Sequence, residues 1–132
     1  MELKAHIICL PCVESSEEIQ EVREILKKAR GNHVQIYSKI QSLQGLEKID
    51  QIINESDGIV IARGYLGLAL DDIEDIVYIQ KYITHRCNIE GKPVLLQTQI
   101  INSMTTRMRP TRSEVCDIAQ AVYDGVDAMI LS

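Results

Sequence analysis

Five short apolar runs alternate with longer segments of helical periodicity along this chain, and this alternation constrains the fold more than any other feature. The runs are rich in β-branched residues and lack the strict in–out alternation of strands with one exposed face. Such runs are typical of parallel strands that are covered on both faces. They span residues 7–10, 34–37, 58–62, 93–97 and 128–131. The pattern predicts an α/β chain with five parallel strands and four crossover helices.

Capping signals predict where three of the helices begin. In a capping box, the first side chain binds a free amide of the first helical turn, and a Glu three residues later binds back. The pairs with this spacing are Ser15 and Glu18, Asp71 and Glu74, and Thr111 and Glu114. Glycines at positions 31, 91 and 125 follow helical segments, where a left-handed residue commonly ends a helix. A further short helix is expected over residues 46–53.

Two architectures fit this order of elements: an open doubly wound sheet and part of a closed (β/α) barrel. In both, functional residues lie at the carboxyl ends of the strands. The residues expected there are Cys12, Glu14, Lys39, Gln41, residues 63–67, Thr98, Gln99 and Ser132. No linker or low-complexity segment interrupts the pattern, so residues 1–132 are expected to form a single domain.

Composition excludes several classes of function. The 132 residues carry a net charge of −5 and include five Tyr but no Phe or Trp. The chain therefore lacks the basic surface and the aromatic platforms of nucleic-acid binders. No apolar run approaches the ~18 residues of a membrane span. Glu2 and Lys4 interrupt any export signal, so we expect a cytoplasmic location with reduced cysteines.

Lys39 follows an apolar run at the predicted functional edge. Its ammonium group could hold a phosphoryl group or stabilise a developing negative charge, or it could lie at the rim with its charge in water. Residues 63–67, Arg-Gly-Tyr-Leu-Gly, place two glycines three apart after the next run. This spacing allows a ligand to approach the backbone closely, but an ordinary turn is the simpler interpretation.

Cysteines and arginines near the same edge lead to further hypotheses. Cys9 and Cys12 have the spacing of a dithiol redox site, although a strand cysteine followed by an unrelated loop cysteine is the simpler interpretation. Arg107, Arg109 and Arg112 precede the last helix. They could bind an anion, form a subunit contact or lie in a solvated loop.

Several longer motifs share their order and spacing with a known enzyme family. They are Ser-Lys-Ile at 38–40, Glu-Ser-Asp-Gly-Ile-Val-Ile-Ala-Arg-Gly-Tyr-Leu-Gly at 55–67, Arg-Cys-Asn at 86–88, Gly-Lys-Pro-Val at 91–94, Thr-Gln at 98–99, Ser-Met at 103–104, Arg-Pro-Thr-Arg-Ser-Glu at 109–114, and residues 124–132. From about residue 7 to the last residue, these motifs resemble pyruvate kinase.

The resemblance implies a fold and an activity. Pyruvate kinase transfers the phosphoryl group of phosphoenolpyruvate to ADP, which gives pyruvate and ATP in glycolysis. Its central domain is a (β/α)₈ barrel, and the matched motifs correspond to about strands four to eight. The resemblance therefore implies a partial TIM barrel without strands one to three, which carry the potassium site and much of the nucleotide-binding surface of the family.

Some substrate-site residues of the family are present. Lys39 matches the lysine that neutralises the phosphoryl group and the enolate formed on transfer. Thr98 matches a threonine at the substrate that is associated with proton transfer. Arg63 and Gly64 match the strand end whose backbone contacts the substrate carboxylate, and Tyr65 follows them in the same substrate-binding segment.

The two magnesium-ligand carboxylates of the family are replaced. Gln41 stands where the family has Glu, and Tyr65 stands where it has Asp. A carboxamide and a phenol are much weaker ligands than carboxylates for a hard cation. Because phosphoryl transfer relies on metal ions for positioning and charge neutralisation, the resemblance implies lost or strongly impaired activity in this chain. We therefore expect no tightly bound magnesium.

Three hypotheses remain open. In the first, the chain is an inactive relative that acts as a binding or structural module, either as a homo-oligomer or paired with a pyruvate kinase homologue. In the second, it is a segment of an active enzyme whose metal is held differently, with Glu14 or Asp71 as substitute ligands. In the third, Cys12 belongs to a redox dithiol.

Overall fold

A sequential, all-parallel sheet forms the centre of the chain in the computed structural model, which describes residues 5–131. Its strands are β1 (Ile7–Leu10), β2 (Gln35–Ile40), β3 (Gly58–Ala62), β4 (Val94–Gln97) and β5 (Ala128–Ile130). They lie in the order β1-β2-β3-β4-β5, and each neighbouring pair is parallel. A doubly wound sheet would reverse its strand order at a switch point. The observed order is that of a partial (β/α) barrel, which confirms the architecture that the resemblance implied and excludes the doubly wound alternative.

Seven helical segments connect the strands within residues 5–131, which is more than the four that the periodicity predicts. They are α1 (Ser16–Lys28), α2 (Leu43–Glu47), α3 (Ile49–Glu55), α4 (Arg63–Ala69), α5 (Asp75–Ile89), α6 (Arg112–Asp124) and a one-turn 3₁₀ helix (Asn102–Thr105). The expected helix at 46–53 is divided between α2 and α3. Residues 63–67 form the start of α4, so the simpler interpretation of this segment as an ordinary turn is wrong.

The hydrophobic core lies between the sheet and the helices. Alternate strand residues, including Ile36, Ile59 and Leu96, join residues of α1, α3 and α5 in one buried cluster. In chain order, α1 packs on α3, α3 on α5, and α5 on α6. Right-handed crossovers between sequential strands place all of these helices on the same face of the sheet. The other face carries Tyr37, Lys39, Val60 and Leu95, and it corresponds to the inside of a barrel.

Only one of the three predicted capping boxes forms completely. The Thr111 side chain accepts from the Glu114 amide, and the Glu114 carboxylate accepts from the Thr111 amide. Ser15 precedes α1, but its hydroxyl donates to Glu18 at 3.4 Å and caps no amide. The Asp71 prediction is wrong, because α5 begins only at Asp75 after a separate turn.

Left-handed residues end the three longest helices. Gly91 (φ +65°) follows α5 and Gly125 (φ +89°) follows α6, as predicted. After α1, Arg30 takes the left-handed conformation (φ +60°) in place of Gly31. The Gly31 amide then donates to the Leu26 carbonyl at 2.7 Å, so the helix ends one residue earlier than the glycine indicated.

Candidate functional site

The predicted site residues meet at the carboxyl edge of the sheet. Lys39 lies next to the last residue of β2, Arg63 begins α4 directly after β3, and Thr98 follows β4 directly. Cys12 lies in the loop after β1. Ser132, which the sequence also places at this edge, lies outside the described residues. The parallel register therefore brings residues from four strands to one edge.

Thr98 has a strained backbone at this edge. Its φ is +74°, a region that β-branched residues rarely adopt. The Thr98 hydroxyl oxygen accepts from the Gly64 amide at 2.7 Å, and the Thr98 carbonyl accepts from Nη2 of Arg63 at 3.2 Å. Such a conformation persists only where its surroundings hold it, and in many proteins these positions lie at functional sites.

The Arg63 side chain is held by the fold. Its Nη1 and Nη2 atoms donate to the two carboxylate oxygens of Asp117 on α6, at 2.5 and 2.8 Å. The Arg63 side chain is 10% exposed and that of Asp117 is 37% exposed. Within residues 5–131, the buried Nε of Arg63 has no hydrogen-bond partner. The guanidinium therefore joins α6 to the ends of β3 and β4.

Asp117 was absent from the sequence predictions. A signal for it existed, because an arginine that follows a fully apolar strand needs a carboxylate when it is buried. Asp117 also lies three residues after Glu114 on α6, so the two carboxylates share one side of the helix. The sequence alone does not indicate which of the chain's carboxylates pairs with Arg63.

The Arg63–Asp117 pair also borders a cleft of about 320 Å³. Gly64, Gly67 and Leu68 of α4 line one side of it. Gln99, next to Thr98, lines another. The cleft therefore adjoins the strand-end residues and is partly shaped by the same ion pair.

Lys39 faces an aromatic ring at the same edge. Its Nζ atom lies 6.0 Å from the centroid of the Tyr65 ring, at the outer limit of a cation–π contact. Tyr65 is 55% exposed, whereas Lys39 is half-buried. None of the ion pairs within residues 5–131 includes Lys39.

The oxygen of Gln41 is already engaged by the protein. It accepts a hydrogen bond from the Cys12 amide at 2.8 Å, and the Val13 amide donates to the Lys39 carbonyl at 3.3 Å. These two bonds tie the β1–α1 loop to the end of β2. Gln41 thus anchors the β1–α1 loop to the end of β2.

The donor groups at this edge do not fit a magnesium ion. The Gln41 oxygen is a neutral amide oxygen that already accepts one hydrogen bond, Tyr65 supplies a phenol, and a hard cation prefers carboxylates. The described part of the chain contains no group of three or more His, Cys, Asp or Glu residues that could hold a metal ion. Of the two substitute ligands, Glu14 is half-buried in the β1–α1 loop and Asp71 is exposed in the α4–α5 loop.

The four cysteines are all free. Cys9 and Cys12 are exposed, as is Cys116 on α6, whereas Cys87 is fully buried in the core. Burial raises the pKa of the Cys87 thiol to about 12. Cys12 has a left-handed backbone (φ +51°), and its Sγ lies 3.9 Å from Glu14.

One carboxylate organises the segment between β4 and α6. Glu114 accepts from the Ser103 amide at 2.8 Å, from the Ser103 hydroxyl and from the Thr111 amide at 2.7 Å. These bonds lower the pKa of Glu114 to about 2, with the Ser103 side chain as the largest cause. The three arginines of this region are exposed. They are Arg107, Arg109 and Arg112.

A membrane crossing sets requirements on the length and hydropathy of a helix. Among residues 5–131, no helix combines the length and the apolar character that a membrane crossing requires.

Known proteins that are similar to this chain belong to one family. The model of the pyruvate kinase barrel domain matches residues 1–132. Pyruvate kinase of Clostridium acetobutylicum is 43% identical over 120 residues, which cover 91% of this chain and 25% of that protein. Pyruvate kinase of Leishmania mexicana is 45% identical over 120 residues, covering 91% and 24%. Pyruvate kinase 2 of Saccharomyces cerevisiae is 42% identical over 127 residues, covering 96% and 25%.

The matches cover only part of the length of each relative. It spans about a quarter of the length of these curated relatives. The sequential parallel sheet, with its crossover helices, is the architecture expected for part of a barrel. This chain therefore belongs to the pyruvate kinase family and forms part of its barrel domain.

Proposed function

We propose that the carboxyl edge of this sheet binds a small anion of the phosphoenolpyruvate or pyruvate class, and that the chain's own phosphoryl transfer to ADP is lost or strongly impaired. The observation that carries this proposal is the hydrogen bond from the Cys12 amide to Gln41, because the oxygen at one expected magnesium-ligand position is a neutral amide oxygen that already accepts from the protein. Tyr65, at the other position, faces the ammonium group of Lys39.

Lys39 supplies the positive charge in this proposal. It has no carboxylate partner within residues 5–131. It lies next to the last residue of β2, at the carboxyl edge of the sheet. A lysine in this position attracts a phosphate or carboxylate group directly, as a point charge. A ligand would then bind through Lys39 without a bridging cation.

Thr98 supplies a hydroxyl donor. Its oxygen already accepts from the Gly64 amide, so its proton is directed elsewhere. A hydroxyl with its oxygen fixed in this way can donate to a bound carboxylate or exchange a proton with a carbon next to it. The strained backbone of Thr98 fits a residue whose position is set by function.

Loss of the metal accounts for the impaired transfer. A divalent cation contributes several kcal/mol of charge stabilisation in the transition state of phosphoryl transfer. One ammonium group would not supply the charge stabilisation that a divalent cation would provide. The proposed site therefore retains ligand binding and lacks most of the catalytic stabilisation.

Restoration of the carboxylates tests this proposal. We expect the unsubstituted chain to show no micromolar affinity for Mn²⁺ in isothermal titration, and the Gln41→Glu/Tyr65→Asp variant to bind Mn²⁺ at least about tenfold more tightly. The matched control is Gln51→Glu/Tyr78→Asp, which adds the same charge at exposed helical positions. Micromolar Mn²⁺ affinity in the unsubstituted chain, or pyruvate formation abolished by Lys39→Met, would favour an active segment with a different metal site.

The open edges of the sheet favour a second role as a docking module. Within residues 5–131, β1 pairs only with β2, and β5 pairs only with β4. Unpaired strand edges bind other strands readily. The partner would be a second copy of the chain, a pyruvate kinase homologue or further strands of the same barrel. Light scattering with a thermal melt on the purified chain tests pairing with a second copy, since a stable monomer with a cooperative melt would contradict it.

A further inference from the structure

We infer that Asp117 is a positioning residue that sets the backbone of Thr98 through the guanidinium of Arg63. The inference rests on the proposed function only in assigning Thr98 to the ligand site. The three residues come from three different parts of the fold: Asp117 from α6, Arg63 from the start of α4, and Thr98 from the end of β4.

The contacts form a continuous path. Both carboxylate oxygens of Asp117 accept from Arg63, at 2.5 and 2.8 Å. The Nη2 atom that donates the second of these bonds also donates to the Thr98 carbonyl at 3.2 Å. One nitrogen thus touches both Asp117 and Thr98, so a change in the plane of the guanidinium reaches Thr98 directly.

Thr98 needs such support because of its conformation. At φ +74° a β-branched residue is strained, and rotation to an extended conformation would relieve the strain. That rotation would redirect the Thr98 carbonyl away from Arg63 and move the hydroxyl oxygen away from the Gly64 amide. The two bonds together therefore hold the strained state.

Asp117 decides where the guanidinium lies. A planar guanidinium bound by two parallel hydrogen bonds to a carboxylate has a fixed orientation. Without the carboxylate, a side chain that is nine-tenths buried retains an uncompensated charge and turns toward water. Its Nε has no partner within residues 5–131 that would resist this movement.

Asp117→Asn tests the inference, with Asp124→Asn as the matched control. Asp124 lies on the same helix and also pairs with a cation, Lys81, at 2.5 Å, so the control removes an ion pair from a different place. The direct readout is the intraresidue amide–Hα nuclear Overhauser effect of Thr98, which is strong only at positive φ. We expect Asp117→Asn to weaken this signal, and Asp124→Asn and Asp117→Glu to retain it.

Ligand affinity gives the second readout. We expect Asp117→Asn to weaken phosphoenolpyruvate binding about tenfold, as the loss of one charge-assisted contact would. If the unsubstituted chain does not bind phosphoenolpyruvate, the proposed function fails, and the Thr98 signal still decides the positioning role. A Thr98 signal unchanged by Asp117→Asn, or weakened equally by Asp124→Asn, would overturn the inference.

A measurement on the unsubstituted chain covers the case in which Asp117→Asn does not fold. The Nη protons of Arg63 should exchange with water far more slowly than those of the exposed Arg107. Equal exchange rates would show that the Arg63–Asp117 pair is not formed in solution, and the inference would then fall.

Discussion

The side-chain oxygen of Gln41 accepts a hydrogen bond from the Cys12 amide at 2.8 Å. This contact spans 29 residues of sequence and fixes the β1–α1 loop over the end of β2. The helix that follows, α2, approaches the same loop so closely that Gly45 lies against the Val13 carbonyl. The loop beside the proposed ligand site is therefore held at two points.

Gly45→Ala should destabilise this loop and the chain. A Cβ at position 45 would lie 2.5 Å from the Val13 carbonyl oxygen, and that backbone atom moves only with the loop. We expect a loss of about 1–3 kcal/mol in the free energy of unfolding, which is typical of overpacking, measured by urea denaturation. Gly31→Ala is the control, because its nearest contacts are 3.3 Å away. An equal effect of both substitutions would contradict this explanation.

Lys39→Met should weaken anion binding and leave stability almost unchanged. Lys39 has no ion-pair partner within the described residues, so we expect the free energy of unfolding to change by less than about 0.5 kcal/mol. The loss of a charged donor should reduce the affinity for phosphoenolpyruvate by about 10- to 100-fold in isothermal titration. Lys48→Met, at an exposed position, is the control. Unchanged affinity in Lys39→Met would remove Lys39 from the site.

Glu114 should make the stability of the chain depend on pH in the acid range. Its pKa is lowered from 4.5 to about 2 in the folded chain, mainly by the Ser103 hydroxyl. The ionised carboxylate therefore stabilises the fold above pH 4.5, and this contribution disappears as the pH falls toward 2. Melting temperatures measured across this range should fall more steeply for the unsubstituted chain than for Glu114→Gln. Parallel curves for the two proteins would contradict the prediction.

Cys87 should be the slowest cysteine to react with a thiol reagent. Its side chain is fully buried, and its pKa of about 12 leaves almost no thiolate at neutral pH. Timed alkylation followed by mass spectrometry should label Cys9, Cys12 and Cys116 in the native chain and Cys87 only in denaturant. Labelling of Cys87 at the rate of Cys116 would show that the core opens readily.

Much of the sheet could be predicted from the sequence. The boundaries of β1 and β3 match the apolar runs, because burial on both faces leaves a continuous signal in a short segment. β2 extends three residues further than its apolar run, to Ile40. Its polar Ser38 ended the predicted run, but the Ser38 and Ser56 hydroxyls bond to each other at 2.6 Å, which satisfies both groups in the core.

Helix α4 could not be predicted in the same way. Its seven residues include two glycines, which disfavour helix formation, and the segment is too short for a periodic pattern. It is helical because Leu66 is buried in the core and because the Gly64 amide has a partner in Thr98. The tertiary contacts override the local preference.

The sequence by itself therefore determined the order of the strands and of the main crossover helices, most strand positions and the family, since these depend on patterns within short segments. The tertiary structure decided the strained backbone of Thr98 and the pairing of Arg63 with Asp117. The contacts responsible join residues 35 and 54 positions apart in the chain. Local periodicity carries no information about such pairs, because the partners meet only after the strands have paired and α6 has packed against the sheet.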